Sequence, residues 1–184
     1  MTTKRSDATI ALATEGGFDA VQMRSVAEQA DVALGTLYRY FPSKIHLLVS
    51  ALARQFEETE ANLGRRTIPG DDPADRVTYV LTRATRGMQR EPNLTEALTR
   101  AFMFADSTVA GEIHVVGLKL TAMLNRALQG EQYVEGAEPT DREIAVARVI
   151  SDVWLAALVS WVTGRTTAED VSEHLETAVE LILR

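Results

Sequence analysis

The chain has 184 residues, of which 46% are apolar and 24% are charged, as is usual for a soluble globular protein. It contains no cysteine, which excludes a disulfide framework and a thiolate metal site. The amino-terminal residues lack the long apolar core of a secretory signal. The longest apolar stretch, 149–162, is shorter than the roughly 20 residues that a helix needs to cross a bilayer. We therefore expect a cytoplasmic protein.

The net charge of −7 argues against a general nucleic-acid coat. Residues 1–62 are themselves slightly acidic, with six basic and eight acidic side chains. Three of the basic residues lie within one short segment: Arg24, Arg39 and Lys44. Any DNA binding should therefore be weak on non-specific DNA and should depend on a close, dimeric fit.

The hydrophobic periodicity is helical nearly throughout, and it begins with four predicted helices. The first is short and ends at Gly16-Gly17. Asp31-Val32 forms a turn between the second and third helices, because Asp tolerates a left-handed backbone. Ser43 can cap the fourth helix. These helices are predicted at about 9–14, 23–30, 33–41 and 44–62.

Five further helices are predicted after a linker at 64–72. The first begins at Asp72-Pro73. Capping boxes formed by Thr140 with Glu143 and by Thr166 with Glu169 start the last two helices, after a loop at 130–139. The two helices between these span about 92–104 and 108–128. The fold class is therefore all-α, with nine helices.

The segment 24–44 has the outline of a helix-turn-helix DNA reader. When Leu37 is placed at the centre of the buried face at 100° per residue, Gly35 and Arg39 point outward. Leu34, Tyr40 and Phe41 then lie near the buried face, and Thr36 and Tyr38 lie on its flanks. An alternative reading is that Tyr38, Tyr40 and Phe41 form only the aromatic core of a small bundle.

Several residues of this segment are suited to contacts with DNA. Arg39 can donate two hydrogen bonds to a guanine edge, Gly35 allows close backbone approach, and Leu34 can contact a thymine methyl group. Hydroxyls and the Lys44 ammonium suit phosphate oxygens. The predicted DNA-binding residues are Arg24, Ser25, Leu34, Gly35, Thr36, Tyr38, Arg39, Tyr40 and Lys44.

Wide apolar faces on the sixth, seventh and eighth helices predict an effector pocket, although core packing is the simpler reading for any single residue. The candidate lining residues are Met88, Leu94, Leu98, Phe102, Phe104, Leu120, Met123, Leu124, Trp154, Leu158 and Trp161. Helix eight is apolar on more than one side, so one side can face a second copy of the chain. Helix nine repeats this pattern at Val171, Leu175, Ala178 and Ile182, which predicts a two-fold four-helix interface.

Residues 23–44 resemble the DNA-binding signature of the TetR family of transcriptional regulators. More narrowly, residues 19–44, 95–106 and 147–155 resemble the members of that family that repress cholesterol-catabolism genes. The departures are Asp31 where the family usually has Gly, Ala33 where it has Ser, and Arg5-Ser6-Asp7 in a normally apolar first turn. The first helix is therefore either short, or the chain has a missing or altered amino-terminal arm.

The resemblance implies a helix-turn-helix domain at 1–48 and an effector-binding and dimerisation domain at 49–184. It implies a repressor that binds a palindromic DNA operator as a homodimer and is released by a hydrophobic effector, a steroid acyl-CoA thioester. The alternative is a regulator of another lipid or of multidrug-efflux genes. Arg83, Arg86 and Arg90 can meet the phosphates of CoA or simply form a solvated face.

Other classes of function have little support. Glu112 and His114 suggest a metal site, as does His174 separately, but no third ligand lies at a suitable spacing. Neither a metal site nor a cofactor is therefore expected. No Ser-His-Asp set or carboxylate pair stands out, so an enzyme is not expected. A ligand-free architectural protein would usually be basic and would not need the wide apolar faces.

Overall fold

The fold is taken from a computed structural model, which describes residues 2–63, 67–134 and 136–184. Within those residues the chain forms nine α-helices and no β-strand, which confirms the all-α prediction. The helices are α1 (Thr2–Ala20), α2 (Met23–Gln29), α3 (Leu34–Tyr40), α4 (Lys44–Leu63), α5 (Pro73–Arg90), α6 (Pro92–Met103), α7 (Ala110–Gln129), α8 (Asp141–Val162) and α9 (Ala168–Leu183). Part of the predicted linker, 64–66, and one residue of the predicted loop, 135, lie outside the described residues.

The helices form two compact units. The first unit comprises the chain up to Gln55 together with Arg90–Val116, and the second comprises Phe56–Gln89 and Gly117–Arg184. The helices α4 and α7 each contribute to both units.

In the first unit, α6 packs against the carboxyl-terminal part of α1. The Glu96 carboxylate accepts a hydrogen bond from the Phe18 backbone N–H at 2.9 Å. The Asn93 amide donates to the carbonyl oxygens of Thr14 at 3.2 Å and Glu15 at 3.3 Å. These side chains satisfy backbone groups at the point where α1 is broken, because a broken helix leaves such groups without intrahelical partners.

The prediction for the first helix was wrong in length. Helix α1 runs from Thr2 to Ala20 and is interrupted at Gly16 and Gly17, where the backbone leaves the helical region. The helix therefore includes the polar segment 5–7, which was predicted to lie before it. Arg5 is only 3% exposed, and its guanidinium carbon lies 4.6 Å from the centre of the Tyr40 ring. The aromatic ring gives the cation a favourable environment inside the unit.

Two predictions at the ends of helices differ from the structure by a few residues. A 3₁₀ turn at Ser107–Val109 precedes α7, which starts at Ala110 rather than near 108. Another 3₁₀ turn, Gly130–Gln132, begins the predicted loop. Helix α3 has Ala33 as its N-cap and Phe41 as its C-cap, so both lie just outside the helix.

The capping box of Thr140 with Glu143 is confirmed at the start of α8. The second box was placed one residue early, because Thr167 and Asp170 form it. The backbone N–H groups of Arg165 and Thr166 both donate to the Ser160 carbonyl, so the chain is still closing α8 at these positions. Helix α9 therefore begins after Thr167.

Helix α8 is longer than the apolar stretch seen in the sequence. By length and composition its 22 residues could cross a membrane, so the prediction that no segment is long enough was wrong. The core helix of a soluble protein satisfies the same criteria. Here α8 packs against α9 and buries Ile150, Trp154 and Ala157.

In the second unit, contacts at both ends of α5 set its position against its neighbouring helices. The Arg184 guanidinium donates to the Asp75 carboxylate at 2.8 Å, and the Gln89 amide donates to the Ala168 carbonyl. Helices α5 and α9 are therefore antiparallel. The Arg76 guanidinium donates to the carbonyl oxygens of Ala127 at 2.8 Å and Leu128 at 3.0 Å, which joins the start of α5 to the end of α7.

Candidate nucleic-acid interface and apolar bundle

The helix-turn-helix is built on a small buried core and a tight turn. Leu37 is the one fully buried residue of α3, and Val26 and Ala27 are buried on α2. Asp31 has a φ of 54°, which confirms the predicted left-handed turn residue. The N–H of Val32 donates to the Ala27 carbonyl at 3.0 Å and holds the turn against α2.

The outer face of α3 carries the predicted base-reading residues. Gly35 and Arg39 are exposed, and a Cβ atom on Gly35 would meet no atom within 4 Å. Leu34, which was predicted to lie near the buried face, is 39% exposed. Tyr38 is also exposed, and Thr36 is half-buried. The backbone of α3 at Gly35 can therefore approach a binding partner closely.

Tyr40 does not lie near the buried face as predicted, because it is 55% exposed. Its ring centre lies 4.6 Å from the Arg5 guanidinium carbon and 5.3 Å from that of Arg39. Tyr40 consequently connects the first turn of α1 to the exposed arginine of α3.

The basic residues that flank α3 differ in how firmly neighbouring groups hold their side chains. Arg24 has a side chain 83% exposed and forms an ion pair with Glu28 on the same helix, at 3.0 Å. Such an exposed pair contributes little to stability and can exchange its partner. The Ser25 side chain is half-buried beside it.

Lys44 has a structural partner. Its Nζ donates to the Phe18 carbonyl at 3.1 Å and lies 3.9 Å from the centre of the Phe18 ring. The Arg100 guanidinium carbon lies 4.5 Å from the centre of the same ring. Lys44 therefore ties the start of α4 to α1, and a phosphate would compete with this contact.

His46 is a buried residue that the sequence interpretation missed. Its Nε2–H donates to the Thr108 carbonyl at 3.2 Å, since a carbonyl can only accept. Its Nδ1 then accepts from the Ser43 hydroxyl at 3.0 Å. The imidazole thus joins α4 to the segment between α6 and α7. A lone histidine in a helix gives no sequence signal of this contact.

The segment that His46 contacts is itself ordered by a carboxylate. Asp106 accepts hydrogen bonds from the Thr108 hydroxyl at 2.6 Å and from the Thr108 N–H at 2.8 Å. The hydroxyl and then the N–H hold the pKa of Asp106 below its ordinary value, and the nearby His46 adds a smaller effect in the same direction. The Thr108 carbonyl is thereby presented to the imidazole.

The predicted effector-lining residues fall in both units. In the first unit Leu94 and Leu98 are buried and Phe102 is half-buried, whereas Phe104 is 60% exposed beyond the end of α6. The second unit contains the other seven, of which Met88 and Trp161 are half-buried. The buried five are Leu120, Met123, Leu124, Trp154 and Leu158.

The sequence pattern missed an aromatic contact within the second unit. The rings of Phe56 on α4 and Trp154 on α8 meet edge to face, with centroids 5.9 Å apart. It also missed Thr85 and Asn125, two buried polar residues on α5 and α7. Arg83 and Arg86 are exposed on α5, as is Arg90 at its end.

Comparison with known proteins gives the family. Residues 6–51 match the model of the bacterial regulatory proteins of the tetR family, and residues 70–182 match that of the tetracyclin repressor-like carboxyl-terminal domain. The chain is 55% identical to the HTH-type transcriptional repressor KstR of Rhodococcus jostii strain RHA1 over 177 residues, covering 96% of this chain and 80% of that protein.

Solved structures agree. A TetR transcriptional regulator from Rhodococcus sp. RHA1 has a TM-score of 0.87 at 31% identity, covering 98% of this chain and 94% of that one. Thermus thermophilus FadR, a TetR-family repressor solved in complex with lauroyl-CoA, shares the fold with a TM-score of 0.75 at 18% identity, covering 100% and 93%. Regulators of this family bind DNA operators and dimerise, and their role is not enzymatic. The chain belongs to the TetR family of bacterial transcriptional regulators, as a repressor that resembles KstR.

Proposed function

We propose that this protein is a cytoplasmic repressor of cholesterol-catabolism genes that a steroid acyl-CoA thioester releases from its operator. The observation that carries the proposal is the exposed face of α3 in a chain 55% identical to KstR. We further propose that residues 1–48 bind DNA and that 49–184 bind the effector and form the dimer.

The proposed DNA contacts follow from exposure and chemistry. Arg39 reads a guanine edge in the major groove, while Leu34 and Gly35 allow close contact with neighbouring bases. The phosphate contacts come from Arg24, Ser25, Thr36, Tyr38, Tyr40 and Lys44. Because these include so few cations, two copies must bind half-sites separated by about one helical turn of DNA, roughly 34–36 Å.

The proposed dimer interface uses α8 and α9. On α8, Ile144 and Val149 are exposed, and on α9 Leu181 is 82% exposed. Of the four residues predicted for this interface on α9, Val171 and Leu175 are instead buried within the unit, as is Val179. Ala178 and Ile182 are half-buried. A second copy would cover the outer apolar residues and form a four-helix contact.

The proposed effector is an acyl-CoA thioester. FadR of Thermus thermophilus, whose fold is similar, was solved with lauroyl-CoA. The second unit presents a largely apolar interior on α5, α7 and α8, which suits a rigid hydrocarbon skeleton. Arg83 and Arg86 are exposed and available to the phosphates of CoA.

We propose that α4 transmits the signal. This continuous helix contacts Trp154 through Phe56 in the second unit, and contacts the segment before α7 through His46 in the first unit. Effector binding that moves α4 would change the separation of the two α3 helices in the dimer. The coupling free energy between effector and operator then equals the difference between the effector's binding free energies for the released and the DNA-bound states.

The DNA-reading step is tested with Arg39→Ala. Operator DNA is first selected from a random-sequence duplex pool, and affinity is measured by fluorescence anisotropy. We expect a loss of about ten- to a hundredfold, corresponding to one lost bidentate base contact. Sedimentation should still show a dimer. The control is Arg83→Ala, which removes an exposed arginine outside the helix-turn-helix. If Arg39→Ala binds the operator with wild-type affinity, Arg39 does not belong to the interface.

The effector is tested by titrating the operator complex with a steroid acyl-CoA, the free steroid acid, lauroyl-CoA and a planar cationic drug. We expect the steroid thioester to release DNA at the lowest concentration. Release by lauroyl-CoA alone would assign the protein to another lipid. Equal release by the drug would assign it to multidrug sensing.

A further inference from the structure

Arg5 is a buried cation whose guanidinium has one edge without hydrogen-bond partners. The residue is 3% exposed, and its Nε and Nη2 atoms are buried with no partner among the residues that the structure describes. These two nitrogens form an edge with which arginine can bind a carboxylate or a phosphate through two parallel hydrogen bonds. Arginine keeps its positive charge in proteins, so this charge is not removed by loss of a proton.

The carboxylate that is nearest to Arg5 along α1 is engaged elsewhere. Asp7 accepts a hydrogen bond from the Arg54 guanidinium of α4 at 2.6 Å. The Thr9 hydroxyl donates to the backbone carbonyl of Arg5 at 2.8 Å, and so satisfies the main chain but not the guanidinium. The guanidinium carbon lies 4.6 Å from the centre of the Tyr40 ring. An aromatic ring attracts a cation but does not neutralise its charge.

An arrangement of this kind is costly for folding. A buried charge without an anionic partner lowers the stability of a folded protein, and the contact with the ring offsets only part of that cost. Side chains that break the rules of stable packing are expected at functional sites, where they serve a purpose other than stability. The position of Arg5 next to the helix-turn-helix indicates which purpose that is.

Tyr40 brings the buried charge to the surface that carries α3. Its side chain is 55% exposed, and its ring centre lies 5.3 Å from the guanidinium carbon of Arg39, which is exposed. Two arginines therefore contact one exposed ring at the end of α3. Like charges at such short range repel each other, and an anion near both would relieve that repulsion. The end of α3 thus concentrates positive charge in a protein whose net charge is −7.

We propose that Arg5 belongs to the operator-binding surface and supplies the charge that neutralises one DNA phosphate held by the Tyr40 hydroxyl. The inference rests on the proposed function, in which Tyr40 contacts a phosphate. A phosphate oxygen bonded to that hydroxyl lies within about 10 Å of the Arg5 guanidinium carbon, given the size of the ring and the usual hydrogen-bond length. Over that distance one charge changes affinity by about three- to tenfold at 0.1 M salt. Arg5 therefore acts across the ring from its buried position.

The first test is the salt dependence of operator binding by Arg5→Met, which keeps an unbranched side chain but removes the charge. Affinity for the selected operator is measured by fluorescence anisotropy at several salt concentrations. At about 0.1 M salt the dimer should lose about ten- to a hundredfold in affinity. The slope of log K against log salt should be shallower by about 1–2, because each neutralised phosphate contributes about 0.9. Arg5→Lys, which retains a cation, should keep most of the affinity and of the slope.

The second test locates the phosphate. Operator duplexes are prepared with one uncharged methylphosphonate link at successive positions, and each is bound by wild-type protein, Arg5→Met and Tyr40→Phe. In wild-type protein the link at one position per half-site should reduce affinity through the loss of this contact. The reduction at that same position should be at least threefold smaller in both variants, because each variant has already lost part of the contact. Different positions for the two variants would contradict the proposal.

Stability separates this role from a role in folding. The melting temperature of Arg5→Met should equal or exceed that of wild type, because the removed cation has no anionic partner and its burial is costly. Arg83→Met, which removes one exposed positive charge from the second unit, is the control for net charge and should bind the operator as wild type does.

An unchanged salt slope in Arg5→Met would contradict the proposal. A fall of more than about 5 °C in its melting temperature would also contradict it, because Arg5 would then serve folding. Either result would leave the proposed function standing, whereas failure of wild-type protein to select any operator from the duplex pool would refute the proposed function itself.

Discussion

The break in α1 depends on a glycine that no other residue replaces without strain. Gly17 has a φ of 68° and a ψ of −160°, a region that is essentially restricted to glycine. A Cβ atom at this position would lie 2.9 Å from Glu96 Oε2, the oxygen that accepts from the Phe18 N–H. Gly17→Ala therefore strains the backbone and displaces the carboxylate that joins α6 to α1.

The expected loss in the free energy of unfolding is about 3 kcal/mol. Backbone strain contributes about 1–3 kcal/mol. Loss of a charge-assisted hydrogen bond contributes about 1.5 kcal/mol, the low end of the usual range because Glu96 is partly exposed. For a chain of this length the melting temperature should fall by about 6–12 °C. Operator binding should weaken in parallel, because α1 also supports α3 through Arg5 and Tyr40.

The measurement is urea unfolding followed by circular dichroism, with Gly87→Ala as the control. Gly87 lies within α5, and a Cβ atom there would meet nothing within 4 Å. This substitution should stabilise the chain by about 0.5–1 kcal/mol, since alanine favours a helix over glycine. If Gly17→Ala unfolds at the same urea concentration as wild type, the assigned role of the break is wrong.

Two further predictions concern His46 and acid stability. His46→Ala should reduce at least threefold the ratio of the operator dissociation constants measured with and without the steroid thioester. His114→Ala, at an exposed position on α7, should leave that ratio unchanged. The wild-type ratio in His46→Ala would exclude His46 from coupling. Hydrogen bonds, chiefly from Gln129 and then Thr140, hold the pKa of Glu143 below its ordinary value of 4.5. Similar bonds lower the pKa values of Asp72, Asp106 and Asp170 below 3.8. Because the unfolded chain binds more protons, this stability is fully present above those ordinary values and is lost as the pH falls through the lowered ones. The melting temperature should therefore be lower at pH 3.5 than at pH 7, and less so in Thr140→Ala; a pH-independent value would contradict this.

The sequence by itself determined the helices and the motif. Apolar residues at spacings of three and four placed α2 to α9 to within a few residues, and Asp31 marked the turn before α3. The capping box of Thr140 with Glu143 was also readable, because its partners are only three residues apart. Such features depend on neighbours within one helical turn, which a sequence pattern contains.

Only the tertiary structure decided which polar side chains have partners. Arg5 is buried with its guanidinium beside the Tyr40 ring, and Lys44 donates to the Phe18 carbonyl. Glu96 accepts from a backbone group 78 residues away, and Thr85 has a hydroxyl that nothing in the described chain satisfies. The pattern of residues sets which face of a helix is apolar. Which distant group faces each polar atom depends on how the helices pack, and that arrangement determines the free energy of every buried charge and donor.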